Sequence, residues 1–260
     1  MNAIWSATTG VPDGPHVTLV HGSLDRSAGL LKLSRRLDDR YLVSRYDRRG
    51  YGRSVPCDGP FGIDEQVEDL VAVLGAVERP PGPSVLVGHS YGGNVALATA
   101  ERHPGLVAGV VTYETPLSWR SWWPADSAGG DALAWQADPA EAAERFMRRL
   151  IGDARWERLP ASSRRARRDE GNAMVAELLD LRRRPAWDPS AIVAPVLAMH
   201  GELGQPHHRI AAEAIADDIE GAEVGTLAGA RHPGPNTHPD ETADLIDGFI
   251  TTRCTARPPG

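Results

Sequence analysis

Two hydrophobic periods alternate along the chain. Short apolar runs recur at His16-Val17-Thr18-Leu19-Val20, Tyr41-Leu42-Val43-Ser44-Arg45-Tyr46, Val85-Leu86-Val87, Val107-Ala108-Gly109-Val110-Val111 and Val196-Leu197-Ala198-Met199. Runs of this length read as strands buried on both faces, as in parallel sheets. Between them lie helical spacings, with Leu30, Leu31, Leu33 and Leu37 in one segment and Val67, Leu70, Val71, Leu74 and Val77 in the next. The second set follows i, i+3, i+4, i+7, the apolar stripe of an amphipathic helix. A further helix is predicted after residue 90, running to about His103, where Pro104 stops it. Alternating strands and helices predict right-handed βαβ units and an α/β fold with a mostly parallel, doubly wound sheet. Residues 1–15 are turn-rich and read as an edge hairpin.

The rhythm breaks between Pro116 and Pro195, where no buried strand is evident and helical segments are expected over 139–151 and 162–181. This stretch also holds Trp119, Trp122, Trp123, Trp135, Trp156 and Trp187, six of the seven tryptophans. It reads as a helical lid inserted after the strand ending at Glu114. The sheet resumes at 196–201. A helix over 208–219, a strand over 222–227 and a helix over 239–250 follow. The expected organisation is core (1–115), lid (116–194), core (195–250) and a loose tail (251–260).

Composition narrows the function. The 260 residues carry a formal net charge of -7 and a pI of about 5.7, which gives no support for nucleic-acid binding. Two isolated cysteines, Cys57 and Cys254, suit a reducing cytoplasm better than a disulfide scaffold. The N-terminus lacks the basic and apolar regions of a signal peptide, and no stretch approaches 18 apolar residues. A cytoplasmic protein acting on a small molecule, away from membranes, is expected. Neither cofactor nor metal is expected. The pair His207-His208 is adjacent, so its members point different ways on a helix, and no carboxylate pattern accompanies it.

The chemistry centres on Gly88-His89-Ser90-Tyr91-Gly92, a G-x-S-x-G pentapeptide with a strand run before it and an Ala-rich helical run after it. That setting presents a serine on a sharp turn at the top of a sheet. A serine hydroxyl needs a base and a group that orients the base. In open α/β sheets such groups sit at the carboxyl ends of strands. His232, in the Gly-rich loop Gly229-Ala230-Arg231-His232 after the last strand, is the preferred base. His238, before Pro239 at a helix start, reads as a capping or surface residue.

His21-Gly22-Ser23, Asp47-Arg48-Arg49-Gly50-Tyr51-Gly52-Arg53-Ser54, Gly88-His89-Ser90-Tyr91-Gly92-Gly93 and Gly229-Ala230-Arg231-His232 together resemble the α/β-hydrolase superfamily, in order and in spacing. The resemblance covers about residues 16–115 and 195–250. It implies a nucleophile at Ser90, a base at His232 and an oxyanion hole from the backbone N–H groups of Ser23 and Tyr91. It also implies that Asp47–Ser54 is architectural, its glycines making a turn and its charges pairing locally.

One departure stands out. Many relatives place an Asp three residues after the Gly that ends the penultimate strand; here that Gly is Gly201, and position 204 is Gly. The acid must come from elsewhere. Glu114, ending the strand after the nucleophile helix, is preferred, with Glu202 as the alternative. A serine nucleophile points to acyl transfer: hydrolysis of a carboxylic ester, thioester or lactone of a small to mid-sized, partly apolar substrate. C–C hydrolysis and perhydrolysis stay open, as does a non-catalytic binding protein, for which the missing acid at 204 is the main support. Trp119, Trp122 and Trp123, soon after Glu114, are expected near the pocket. The Arg164–Arg168 and Arg182–Arg184 runs read as solvated helix faces, with a substrate carboxylate as the alternative partner.

Overall fold

The computed structural model describes residues 4–254. Seven strands form one sheet: β1 (Ser6–Gly10), β2 (His16–Val20), β3 (Leu42–Tyr46), β4 (Ser84–His89), β5 (Val107–Tyr113), β6 (Val196–Gly201) and β7 (Glu223–Leu227). Their spatial order is β1-β3-β2-β4-β5-β6-β7. Only β1 runs antiparallel. The expected edge hairpin is corrected here. Both sides of β2 are taken by β3 and β4, so β1 caps β3 instead, pairing Ser6 with Tyr46.

The core helices are α1 (Leu31–Leu37), α2 (Ile63–Ala76) and α3 (Tyr91–Arg102). An insertion between β5 and β6 carries α4 (Ala128–Leu133), α5 (Pro139–Ile151), α6 (Asp153–Arg158), α7 (Ala161–Asp169) and α8 (Gly171–Arg183). The chain then continues through α9 (Pro206–Asp218), α10 (Gly234–Thr237) and α11 (Pro239–Phe249). Alternation along the strands divides the core. Leu86, Val110 and Ala198 face α2, α3 and α9. Val85, Val87, Val111, Leu197 and Met199 face α1 and α11. Helices thus cover both faces, as strands that are apolar throughout require.

The helix expected over 162–181 is two helices. Their junction is set by Gly171, where a Cβ would collide with the Pro139 carbonyl, so α8 can cross the start of α5 closely. The insertion has its own core of Phe146, Met147, Trp156, Met174 and Leu178, into which Leu24 and Tyr51 of the sheet domain also pack. The loose tail expected from 251 is corrected in part: Ile250–Cys254 extend α11 as a π-helical turn, and residues 255–260 lie outside the described residues.

Candidate active site

Three non-glycine residues have positive φ among the described residues: Leu24 (53°), Ser90 (54°) and Glu114 (48°). Left-handed backbone is an outlier for such side chains and persists only where packing over-determines it. All three lie just beyond the carboxyl ends of strands, on the same edge of the sheet. Ser90 sits between β4 and α3 with φ 54° and ψ -124°. The turn closes because its flanking glycines have no side chains. A Cβ on Gly88 would strike the Gly93 backbone, and one on Gly92 would strike the Val20 carbonyl. Tyr91 opens α3, where an N–H has no intrahelical acceptor.

His232 lies in the loop between β7 and α10. Tyr113 Oη donates to the Arg231 carbonyl at 2.9 Å, and His89 Nε2 donates to the His232 carbonyl at 2.9 Å. The loop is therefore fastened to both β4 and β5. His232 Nδ1 donates to Glu114 Oε2 at 2.7 Å, and Gly201 N–H donates to Glu114 Oε1 at 3.1 Å. Glu114 is fully buried. Burial alone would raise its pKa. The hydrogen bond and charge of His232, then the charge of His208 and the Gly201 amide, outweigh burial and hold it at about 2. The carboxylate stays ionised beside His232.

Glu202, the alternative acid, is exposed and accepts from Gly229 N–H at 2.8 Å. Its carboxylate braces the loop and makes no hydrogen bond to His232. The structure also accounts for the glycine at 204. A Cβ there would collide with Glu114 Oε1, so the Glu114 carboxyl group fills the space a side chain at 204 would take.

Ser90, His232, Ser23 and Tyr91 share the wall of one cavity of about 400 Å³. The remaining wall is mixed, with Phe146, Leu150 and Leu178 from the insertion and Trp123, Arg149 and His208 among the rest. Of the three tryptophans expected near the pocket, only Trp123 lines it. Trp119 packs edge-on against Trp187 at 5.7 Å, and Trp122 is 39% exposed. Within the arginine runs, Arg164 pairs with Glu157, Arg168 with Glu144 and Arg184 with Asp64, and no arginine of either run lines the cavity.

Sequence reasoning missed two neighbours of His232. His89 lies with its ring 4.9 Å from that of His232, and burial lowers its pKa to about 3. His208 stacks on His232 at 5.0 Å and 22°, with Nε2 3.6 Å from Glu114 Oε2. Burial, then the charge of His232, lowers the His208 pKa to about 3. The ligand atoms of Glu114, His208 and His232 lie within 4.8 Å of one another. The carboxylate that the sequence pattern did not place beside His208 is thus Glu114. The positional signal for His208 was its place soon after β6, at the same sheet edge.

The Asp47–Ser54 segment departs from the expected local pairing. Asp47 accepts from the Ser27 and Arg53 amides, and Arg49 pairs with Asp69. Arg48, fully buried, instead pairs with the fully buried Glu177 of α8.

A mostly parallel sheet with a serine at the turn after its fourth strand, together with a carboxylate-bound histidine on the same cavity, defines the α/β-hydrolase class of fold. The chain belongs to the Alpha/beta hydrolase family, whose sequence model matches residues 19–245. Among curated proteins it is similar to lipase LipV of Mycobacterium tuberculosis, 37% identical over 108 residues, which is 41% of this chain and 40% of that one. It is also similar to the pimeloyl-[acyl-carrier protein] methyl ester esterase of Aromatoleum aromaticum, 29% identical over 65% of this chain and 75% of that one. A match to RutD of Caulobacter segnis spans about a third of that protein, so the first curated relatives are each matched over less than half their length. Among solved structures, the enol-lactonase from Burkholderia xenovorans LB400 superposes with a TM-score of 0.76 at 20% identity, covering 95% of this chain and 96% of that one. That likeness speaks for the fold. None of the described helices is long and apolar enough to cross a membrane.

Proposed function

We propose that the chain is a serine hydrolase that cleaves an ester-like bond through an acyl-enzyme on Ser90. The observation that carries this is His232, which is held by the buried Glu114 at 2.7 Å and lines the same cavity as Ser90. With Nδ1 donating to Glu114, His232 presents Nε2 for the serine proton. Ser90 Oγ attacks the carbonyl carbon as His232 takes that proton. The carbonyl oxygen becomes an oxyanion held by the Ser23 and Tyr91 N–H groups. The intermediate collapses, His232 protonates the departing oxygen or sulfur, and Ser90 is left acylated. Water then repeats the sequence, giving its proton to His232 and its oxygen to the acyl carbon, and Ser90 is released.

The names of the relatives fit this reading: one is a lipase and one a methyl ester esterase. Phe146, Leu150, Leu178 and Trp123 supply apolar wall for an acyl group, so residues 116–194 act as the lid that sets its size. A carboxylic ester, thioester or lactone of small to mid-sized, partly apolar character fits a cavity of about 400 Å³. Labelling with a fluorophosphonate tests the nucleophile. The wild type is expected to label and Ser90→Ala not. Absence of labelling, together with no turnover of p-nitrophenyl esters, thioesters or lactones, would leave the fold as a binding module and overturn the proposal.

A further inference from the structure

Glu177 is an unusual residue to find wholly buried in an inserted helix. Its Oε2 accepts from Ser23 Oγ at 2.7 Å and from Tyr51 Oη at 2.7 Å. Its Oε1 accepts from Gln66 Nε2 at 3.0 Å and from Arg48 Nη1. All four partners belong to the sheet domain, although Glu177 lies between 111 and 154 residues away from them. Arg48 in turn donates through Nε to the His21 carbonyl at 2.8 Å, and its backbone N–H donates to His21 Nε2 at 2.9 Å. His21 Nδ1 completes the ring by donating to the Gly22 carbonyl at 2.7 Å. The guanidinium lies over the rings of Tyr51 and Tyr91, 5.0 and 4.7 Å from their centroids. Residues 21–23 are thus held at one end through Arg48 and at the other directly by Glu177. The next residue, Leu24, has a φ of 53° and its side chain is buried in the core of the insertion. A leucine does not rest in that conformation without restraint.

We propose that Glu177 is the positioning residue of the oxyanion loop: α8 fixes Ser23 through its hydroxyl, so the insertion shapes the hydrolytic centre as well as the cavity roof. This rests on the functional reading above, in which the Ser23 N–H meets the oxyanion. Glu177 touches no reacting atom and acts through Ser23. The strained loop keeps its N–H aimed at the cavity only while the carboxylate holds the side chain beside it.

Two variants separate positioning from folding. Ser23→Ala removes one hydrogen bond and leaves Glu177 with Arg48, Tyr51 and Gln66. Glu177→Gln keeps the shape and one acceptor oxygen. Both are read by amide hydrogen exchange over residues 21–25 and, in parallel, by kcat and KM on the best ester substrate. The expected result is faster exchange in that loop by about tenfold or more, with exchange in β4 and β5 unchanged. Alongside it kcat falls about 10-fold in Ser23→Ala and about 10²-fold in Glu177→Gln, with KM within about threefold, the signature of an interaction made in the transition state. Unchanged loop exchange in both variants overturns the proposal. So does a drop in kcat that only tracks the loss of folded protein. If the loop loosens as expected but the wild type neither labels with fluorophosphonate nor turns over, the anchor stands and the catalytic reading falls.

Discussion

At the scale of single residues, Gly204 and Glu114 share one small volume. A carboxylate reaching from the end of β5 fills the space beside Gly201 that a side chain at 204 would need. Glu114→Gln should reduce kcat/KM by about 10³ to 10⁴, because the amide can donate its own proton and trap the wrong His232 tautomer. Glu202→Gln should stay within about twofold, since that carboxylate holds only the Gly229 amide. Near-wild-type turnover in Glu114→Gln would remove Glu114 from the mechanism. The double variant Glu114→Gly/Gly204→Asp should recover at least tenfold of the activity lost in Glu114→Gly. It relieves the positive φ at 114 and returns a carboxylate to the vacated space. The sequence offered Glu114 and Glu202 as candidates, because each lies at a strand end and position 204 lacks an acid, and it did not show which of them meets His232. His208 was not legible there, because what it meets is Glu114 at the end of β5, a residue far from it in sequence that only the packing of the sheet brings alongside.

At the scale of elements, the strand–turn–helix around Ser90 was the most legible part of the chain. Its apolar run, its glycines and its Ala-rich helix all serve one local geometry, and the structure builds β4 and α3 where that pattern puts them. The insertion was legible only as a change of rhythm. Its helix breaks and the side chains that reach the cavity follow from packing of α5 and α8 on each other and on Leu24 and Tyr51. Leu150 of α5 is partly exposed and borders the cavity, so Leu150→Ala enlarges the pocket without emptying the core. The ratio of kcat/KM for octanoyl over acetyl p-nitrophenyl esters is expected to rise roughly tenfold. Leu150→Trp should shift that ratio the opposite way. An unchanged ratio in both variants would place the acyl group elsewhere.

At the scale of the whole molecule, four imidazoles, two buried and two partly buried, tie stability to pH. His89 and His208 have pKa values lowered to about 3, His16 to about 4, and His21 well below its ordinary value, in each case first by burial. Depressed folded values mean that the unfolded chain takes up protons first as pH falls below about 6.5. Stability is therefore full above that pH and declines below it, by about 2 kcal/mol at pH 5 for each of His16, His89 and His208. Glu114, with its pKa depressed to about 2, adds a loss only below about pH 4.5. Urea unfolding midpoints should be level from pH 7 to 8.5 and fall steeply from 6.5 to 5. A midpoint that holds steady across the lower range would show that these histidines are protonated in the folded protein.

The fold class, the sharp turn at Ser90, the helical stretch between β5 and β6 and the loop that carries His232 were all legible along the chain. These follow from local periodicity, from glycines that a sharp turn demands and from the order of motifs, all of which are read along the chain. Which carboxylate meets His232, which tryptophan faces the cavity, and the neutralisation of Arg48 from α8 rather than by its neighbours came from packing alone. Each of those is a pairing across more than 100 residues or a choice between faces of the same segment. Such choices are fixed by how packed layers exclude water from one partner and leave another exposed.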